Sequence, residues 1–301
     1  MKRVLIIGQG GIGKMYAELL VRNKFEVYTL DPNPEIPSTY KELSDIVFVK
    51  FDLAIICCPN YLHEQWLRDL LELGIGTNIL VEKPGLEKSE SWQHYVTKYP
   101  ERRIMMVKNN YYREMNKQIR DLVRDQAENI DKITFNWINV NRVPNPGSWF
   151  TTKKLSWGGV SRDLMPHLLS IYANIFDLLP KNIKLNNEQR YSLKDVQTTT
   201  YGVISTVNPI YDVDDSSKAQ WTAYILNKPI QVEFVAQWKS ELPAPKVGAE
   251  IEFTNGSKVF FEYGFCPEKY YLKMINDIFD STNDEYQKHV VIDTWIHKII
   301  E

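Results

Sequence analysis

The first twenty-odd residues constrain the fold more than any other stretch. A short apolar run, Val4 to Ile7, leads into Gly8-Gln9-Gly10-Gly11-Ile12-Gly13, and Lys14 to Arg22 then carries Met15, Leu19 and Leu20 at helical spacing. Strand, glycine turn and helix in that order open a doubly wound sheet that holds a dinucleotide. The first glycine allows the tight turn, the second lets backbone approach a pyrophosphate, the third lets helix pack on strand, and phosphate meets the helix N-terminus. Phe25 to Leu30 reads as the next strand. It ends at Asp31, roughly twenty residues beyond the glycines, and Pro32, Pro34 and Pro37 stop its continuation. Asp31 is placed to accept hydrogen bonds from ribose hydroxyls, and its charge would oppose a 2'-phosphate. NAD is therefore expected ahead of NADP, with an ordinary turn residue as the alternative for Asp31.

The alternation continues with a strand at Leu53 to Cys58, a helix at His63 to Leu73, a strand at Asn78 to Val81, a helix at Ser89 to Lys98 and a strand at Ile104 to Val107. Strands alternating with helices imply a parallel sheet covered on both sides. Residues 1–112 are expected to form this Rossmann domain, and residues 113–301 an α+β domain. The second half opens with a helix at Glu114 to Ala127. Candidate strands follow at Lys132 to Val143, Gln197 to Thr206, Ala219 to Leu226, Ile230 to Trp238, Ala249 to Thr254 and Lys258 to Tyr263, the last two joined by the hairpin signal Asn255-Gly256-Ser257. So many strands with few helices between them predict a mostly antiparallel open sheet, one face packed and the other available to a ligand or a second subunit. Two helical segments, Tyr270 to Phe279 and Asp284 to Ile300, close the chain.

A formal net charge of -2 gives no basic footprint for nucleic acid. No apolar run approaches the roughly 20 residues that cross a bilayer, and Val4 to Ile7 is too short for a signal-peptide core, so a cytoplasmic location is expected. Cys57, Cys58 and Cys266 supply no disulfide framework, and the adjacent pair reads as small buried strand residues.

Three further motifs carry candidate chemistry. Cys58-Pro59-Asn60-Tyr61-Leu62-His63 follows a buried strand, at the carboxyl edge where ligands bind in open parallel sheets; turn and helix-cap roles serve Pro59 and Asn60 equally well. Glu82-Lys83-Pro84 lies at the end of the next parallel strand, where a lysine can donate to a substrate hydroxyl or carbonyl. In Trp157-Gly158-Gly159-Val160-Ser161-Arg162-Asp163-Leu164-Met165-Pro166-His167, a glycine pair opens a helical segment on which Asp163 and His167 stand four apart, on one face. A carboxylate beside a group that titrates near neutrality suits proton transfer. Two metal ligands are the alternative, but no further ligands appear at metal-like spacing. Trp149 and Trp157 flank this region with Arg142 and Lys153; their rings could stack on a sugar, or anchor a core.

Together and in this order, these motifs resemble the Gfo/Idh/MocA family, named for glucose-fructose oxidoreductase, inositol 2-dehydrogenase and a rhizopine-catabolism protein. The resemblance implies a Rossmann domain whose NAD (or NADP) contacts fall on Gly8, Gln9, Gly10, Gly11, Ile12, Gly13, Asp31, Cys58, Pro59, Asn60, His63, Glu82 and Lys83. It implies a sugar-like substrate held among Lys83, Trp149, Trp157, Asp163 and His167. The family's catalytic lysine, aspartate and histidine fall on Lys83, Asp163 and His167, and by analogy His167 takes a proton from a substrate hydroxyl as hydride leaves the same carbon, while Lys83 polarises the oxygen. A homodimer or homotetramer built on the second sheet is also implied. Lys108-Asn109-Asn110-Tyr111-Tyr112-Arg113 departs from the glycine and arginine-aromatic pair frequent there, so substrate contacts do not carry over at that segment. Dehydrogenation of a sugar, cyclitol or nucleotide sugar leads. An imine or enone reductase and a non-catalytic dinucleotide-sensing regulator are the alternatives.

Overall fold

The computed structural model describes residues 1–176, 178–196, 202–264 and 268–301. In chain order the elements are β1 (Arg3–Ile7), α1 (Gly11–Arg22), β2 (Glu26–Leu30), β3 (Leu53–Ile56), α2 (His63–Glu72), β4 (Asn78–Val81), α3 (Ser89–Lys98), β5 (Arg103–Met106), α4 (Glu114–Asp125), β6 (Ile130–Ile138), α5 (Lys153–Ser156), α6 (Val160–Asp163), α7 (Met165–Ile175), β7 (Asn186–Glu188), β8 (Ser216–Ile225), β9 (Lys228–Gln237), β10 (Lys246–Phe253), β11 (Lys258–Glu262), α8 (Glu268–Asp280) and α9 (Asn283–Ile300). They form two compact units, residues 1–107 with 272–299 and 301, and residues 108–271 with 300.

In the first unit, five parallel strands stand in the order β2-β1-β3-β4-β5, so the winding reverses between β1 and β3. Strands β3 and β4 are buried at every position, as a sheet covered on both faces requires. Helix α1 buries Tyr16, Leu19 and Leu20, an i, i+3, i+4 stripe. The terminal residues complete this unit, a correction to the expected division in which 113–301 form one domain. The outer edge of β5 would otherwise leave backbone N–H groups unpaired; Ile104 N–H donates to the Tyr286 hydroxyl at 2.9 Å and Met106 N–H to Asp293 Oδ2 at 2.9 Å. Side chains of α9 thus close a sheet edge that has no further strand. Helix α9 itself starts from a capping box, Thr282 with Glu285.

In the second unit, six strands stand in the order β11-β10-β6-β9-β8-β7. All neighbours are antiparallel except β6 and β9, which pair in parallel with Phe135 opposite Phe234 and Trp137 opposite Ala236. One face carries Ile133, Phe135, Val232 and Phe234, all wholly buried, with Tyr172 of α7 set edge-on to Phe135 and Phe234. Such aromatic contacts each add about 0.5–1.5 kcal/mol beyond area burial. The other face is a charged ladder in which Lys132 meets Glu233, Lys246 meets Glu250 and Lys258 meets Glu252. Of the strand expected over 197–206, residues 197–201 lie outside the described residues, as does Cys266, and residues 202–206 form no strand. Among the described residues no helix is long and apolar enough to cross a membrane.

Candidate functional site

The glycine turn of the first unit has the form its spacing requires. Gly8 adopts φ +90°, and a Cβ on Gly13 would lie 1.9 Å from the Gly8 carbonyl oxygen, so helix and turn touch backbone to backbone. At Gly10 and Gly11 a Cβ would meet nothing within 4 Å. The chain there is bare towards open space, at the N-terminus of α1, as a pyrophosphate cradle needs. Asp31 Oδ2 accepts from Gln9 N–H at 2.8 Å and Oδ1 from Asn33 N–H at 3.0 Å. A carboxylate accepts about four hydrogen bonds, so these anchors orient it and leave acceptor capacity for ribose hydroxyls. These residues fit a dinucleotide, and NAD over a form bearing a 2'-phosphate. Cys57 and Cys58 follow β3 with their thiols pushed up by burial, Cys58 to about 12, which keeps them protonated and inert.

After β4 the chain turns through Glu82-Lys83-Pro84-Gly85, with Lys83–Pro84 cis and Gly85 N–H donating to Glu82 O at 2.9 Å. Glu82 is buried, and its Oε1 accepts from the Tyr16 hydroxyl at 3.1 Å. Lys83 is half-exposed between buried neighbours, so the turn presents this one side chain. Two buried histidines grip the peptide that follows. His63 places Nδ1 2.8 Å from Gly85 O and Nε2 2.9 Å from Cys58 O, packed between the residues that follow β3 and β4. Burial, against the pull of the two carbonyls, lowers its pKa to about 4, so the ring is neutral near pH 7 and donates its single N–H to one of them. On the same peptide, Leu86 N–H donates to His297 Nε2 at 3.0 Å, while His297 Nδ1–H donates to Asp293 O at 2.6 Å. His297 stacks on Trp92 at 4.5 Å, and a Cβ on Gly85 would lie 2.2 Å from its Nε2. His63 is therefore a brace within the dinucleotide-binding edge, with its ring wholly buried.

In the second unit, Gly158-Gly159 opens α6, and a distant carboxylate caps it: Asp214 accepts from the N–H groups of Gly159 at 2.9 Å and Ser161 at 2.7 Å. Leu164 separates α6 from α7, so Asp163 and His167 stand on two short helices and not on one continuous helix. From Val160 to Ala173 every residue is buried except Asp163 and His167. Each is held by groups from other elements. The Trp238 indole N–H donates to Asp163 Oδ2 at 2.7 Å. The His167 ring stacks on Trp137 at 5.1 Å, and its Nδ1 stands 2.9 Å from Asn110 Nδ2.

Trp149 and Trp157 are half-buried. Trp149 packs on Phe150 at 4.0 Å, and Trp157 ends α5 with φ +67°. Trp137 and Trp238, which the motif reading passed over, put their indoles against the His167 and Asp163 side chains. The signal was present in the alternation: Ile133, Phe135, Trp137 on β6 and Val232, Phe234, Ala236, Trp238 on and after β9 lie on one face, whose far end is tryptophan. Asn110 and Asp214 had no such periodic signal, because they sit in non-repeating connections.

Residues 2–109 match the model of an oxidoreductase family described as having an NAD-binding Rossmann fold, GFO_IDH_MocA. Over 185 residues the chain is 29% identical to a protein of Amycolatopsis mediterranei (strain S699) named "Putative UDP-kanosamine synthase oxidoreductase subunit"; the match covers 57% of this chain and about half, 51%, of that protein. The fold is similar to that of GenD2 from gentamicin A biosynthesis, solved with NAD, with TM-score 0.72 and 14% identity over 99% of this chain and 93% of that one. It is also similar to the WlbA dehydrogenase from Bordetella pertussis, solved with NADH and UDP-GlcNAcA, with TM-score 0.69 and 15% identity over 99% and 95% of the two chains. The glycine cradle and the Asp31 anchor lie within residues 2–109, the stretch that is similar to the NAD-binding domain of the Gfo/Idh/MocA oxidoreductases.

Proposed function

We propose that the chain interconverts a hydroxyl and a carbonyl on a sugar, cyclitol or nucleotide-sugar substrate, with NAD as the redox partner. The observation that carries this reading is the accessibility pattern of the second unit: on a helix pair otherwise buried from Val160 to Ala173, the two half-exposed residues are a carboxylate and an imidazole, each braced by an indole. Residues kept open at that cost in burial are placed for a ligand. A nicotinamide, when bound, supplies the hydride acceptor or donor. The remaining work falls to side chains of this chain. Lys83 and His167 hydrogen-bond to the reacting oxygen and manage its charge, Asp163 holds a neighbouring hydroxyl, and Asp31 with the glycine cradle orients the dinucleotide. Trp149 and Trp157 offer aromatic faces to the sugar ring. The nucleotide sugar bound to WlbA and the kanosamine name of the curated relative support a sugar-like substrate.

The test is a fluorescence titration with NADH and NADPH, followed by a panel of sugars, inositols, nucleotide sugars and their keto forms, read at the reduced nicotinamide band. The expected result is NADH binding tighter than NADPH, with turnover of at least one polyol or keto-sugar. NADH binding without turnover across the panel would overturn the hydroxyl-carbonyl assignment and favour a sensing role.

A further inference from the structure

Asn110 lies in the segment where the chain departs from the pattern it otherwise resembles, and its side-chain amide has one orientation. Arg113 Nε stands 2.6 Å from Asn110 Oδ1. A guanidinium only donates, so the amide atom facing it is the oxygen, and the atom facing His167 is the amide nitrogen. That nitrogen has two hydrogens and two acceptors in reach, His167 Nδ1 at 2.9 Å and Asn109 Oδ1 at 3.3 Å. Arg113 is itself anchored: its Nη1 donates to Gly264 O at 2.9 Å, and its guanidinium lies over the rings of Tyr263 and Tyr270. The Asn110 backbone is held as well, its carbonyl accepting from Asn116 Nδ2 at 2.9 Å.

A donor facing Nδ1 requires Nδ1 to be an acceptor, so the ring proton sits on Nε2. We propose that Asn110, locked by Arg113, fixes the tautomer of His167, so that the ring meets the substrate oxygen as an Nε2–H donor. This rests on the function proposed above and deepens it. A neutral imidazole whose Nε2 already carries the proton stabilises negative charge on oxygen but does not accept a proton there. For His167 to act as the proton acceptor expected from the family resemblance, Nδ1 would have to carry hydrogen, and Asn110 would have to turn its amide nitrogen onto the Arg113 guanidinium. Proton transfer is therefore assigned to Lys83, whose neutral amine takes the hydroxyl proton in oxidation and whose ammonium returns it in reduction, and His167 polarises. Asn110 and Arg113 are positioning residues acting through His167. Two charged groups stand in this network: Arg113, on the far side of the Asn110 amide, and Asp163, whose Oδ2 accepts from the Trp238 indole.

The test reads the ring directly in the full-length chain without added ligand. Proton–nitrogen correlation spectra of nitrogen-15-labelled protein at neutral pH contain five histidines, and the His167 set is the one missing from His167→Gln. The expected wild-type pattern is a protonated Nε2 and an acceptor Nδ1. Asn110→Asp places a carboxylate oxygen against Nδ1. It should move the proton to Nδ1 and raise the titration midpoint of the ring by about one pH unit or more, since an adjacent anion favours the imidazolium. Arg113→Met, which frees the amide to turn, should give a mixture of the two tautomers. A wild-type proton on Nδ1 would overturn the proposal. So would a tautomer and midpoint unchanged in Asn110→Asp, or a pure wild-type pattern in Arg113→Met. The spectra need no substrate, so failure to find a polyol substrate would count against the proposed function and leave this result standing.

Discussion

The turn after β4 and the α6–α7 pair both depend on histidine, and they use it in opposite ways. At the turn, His63 and His297 are wholly buried, and backbone groups occupy both nitrogens of each ring. On α7, His167 is half-exposed, with one nitrogen held by a side-chain amide and one face covered by an indole. An imidazole engaged on both nitrogens by carbonyls and N–H groups acts as a rigid strut. One whose Nδ1 is held by a side-chain amide, in a ring that reaches the surface, has a defined tautomer where a ligand can meet it. Residue type alone does not separate these roles; burial and the kind of hydrogen-bond partner do.

That contrast can be broken by mutation. His167→Asn and Lys83→Ala should each lower kcat about 10²- to 10⁴-fold on whatever polyol or keto-sugar the panel yields, with NADH affinity and Tm nearly unchanged. Steady-state kinetics beside a melting curve would check it, and the comparison collapses if the melting temperature falls while turnover holds. His297→Leu should do the reverse. It leaves the buried Leu86 N–H without an acceptor and should cost about 1–3 kcal/mol of stability, while His297→Gln, which can return an oxygen near the Nε2 position, should recover much of that. Chemical denaturation of both variants separates a strut from a reagent. The smallest effect concerns acid. His63 has a folded pKa of about 4, below its ordinary 6.5, so the unfolded chain takes up the proton first as pH drops. Its stabilising share is fully present above about pH 6.5 and is lost progressively towards pH 4, by at most ~3 kcal/mol. In His63→Gln the decline of stability between those values should flatten, and an unchanged slope would remove His63 from the acid-labile groups.

The local signals in the sequence carried the first unit well. An apolar run, three spaced glycines and a strand-ending aspartate are consecutive or nearly so, and the backbone conformations they demand are decided within a few residues, as Gly8 and Gly13 illustrate. Lys83, Asp163 and His167 stood out for the same reason, since each lies in a short motif, and their catalytic roles are proposals. What escaped was set by tertiary pairing. The capping of α6 by Asp214 and the approach of Asn110 to His167 join residues about fifty or more positions apart. Trp137 and Trp238 fall between these cases. Extending the alternation of β6 and β9 to its end places both on the packed face, but nothing local says that a histidine and an aspartate lie over them. The affiliation of α8 and α9 was hidden for a related reason: their amphipathic pattern announces a buried face without saying which sheet receives it.

The closing of the β5 edge by α9 has a consequence for how the protein is made. The N–H groups of Ile104 and Met106 find their partners in Tyr286 and Asp293, which are synthesised only after the whole second unit. A nascent chain that has emerged through β5 carries an open, apolar, parallel sheet edge for as long as the ribosome takes to add residues 108–271. At roughly 5–20 residues per second that interval is on the order of ten seconds or more. The dinucleotide-binding unit is thus first in sequence and last to be completed, and the interval before its edge is covered is when the chain is most exposed to edge-to-edge association.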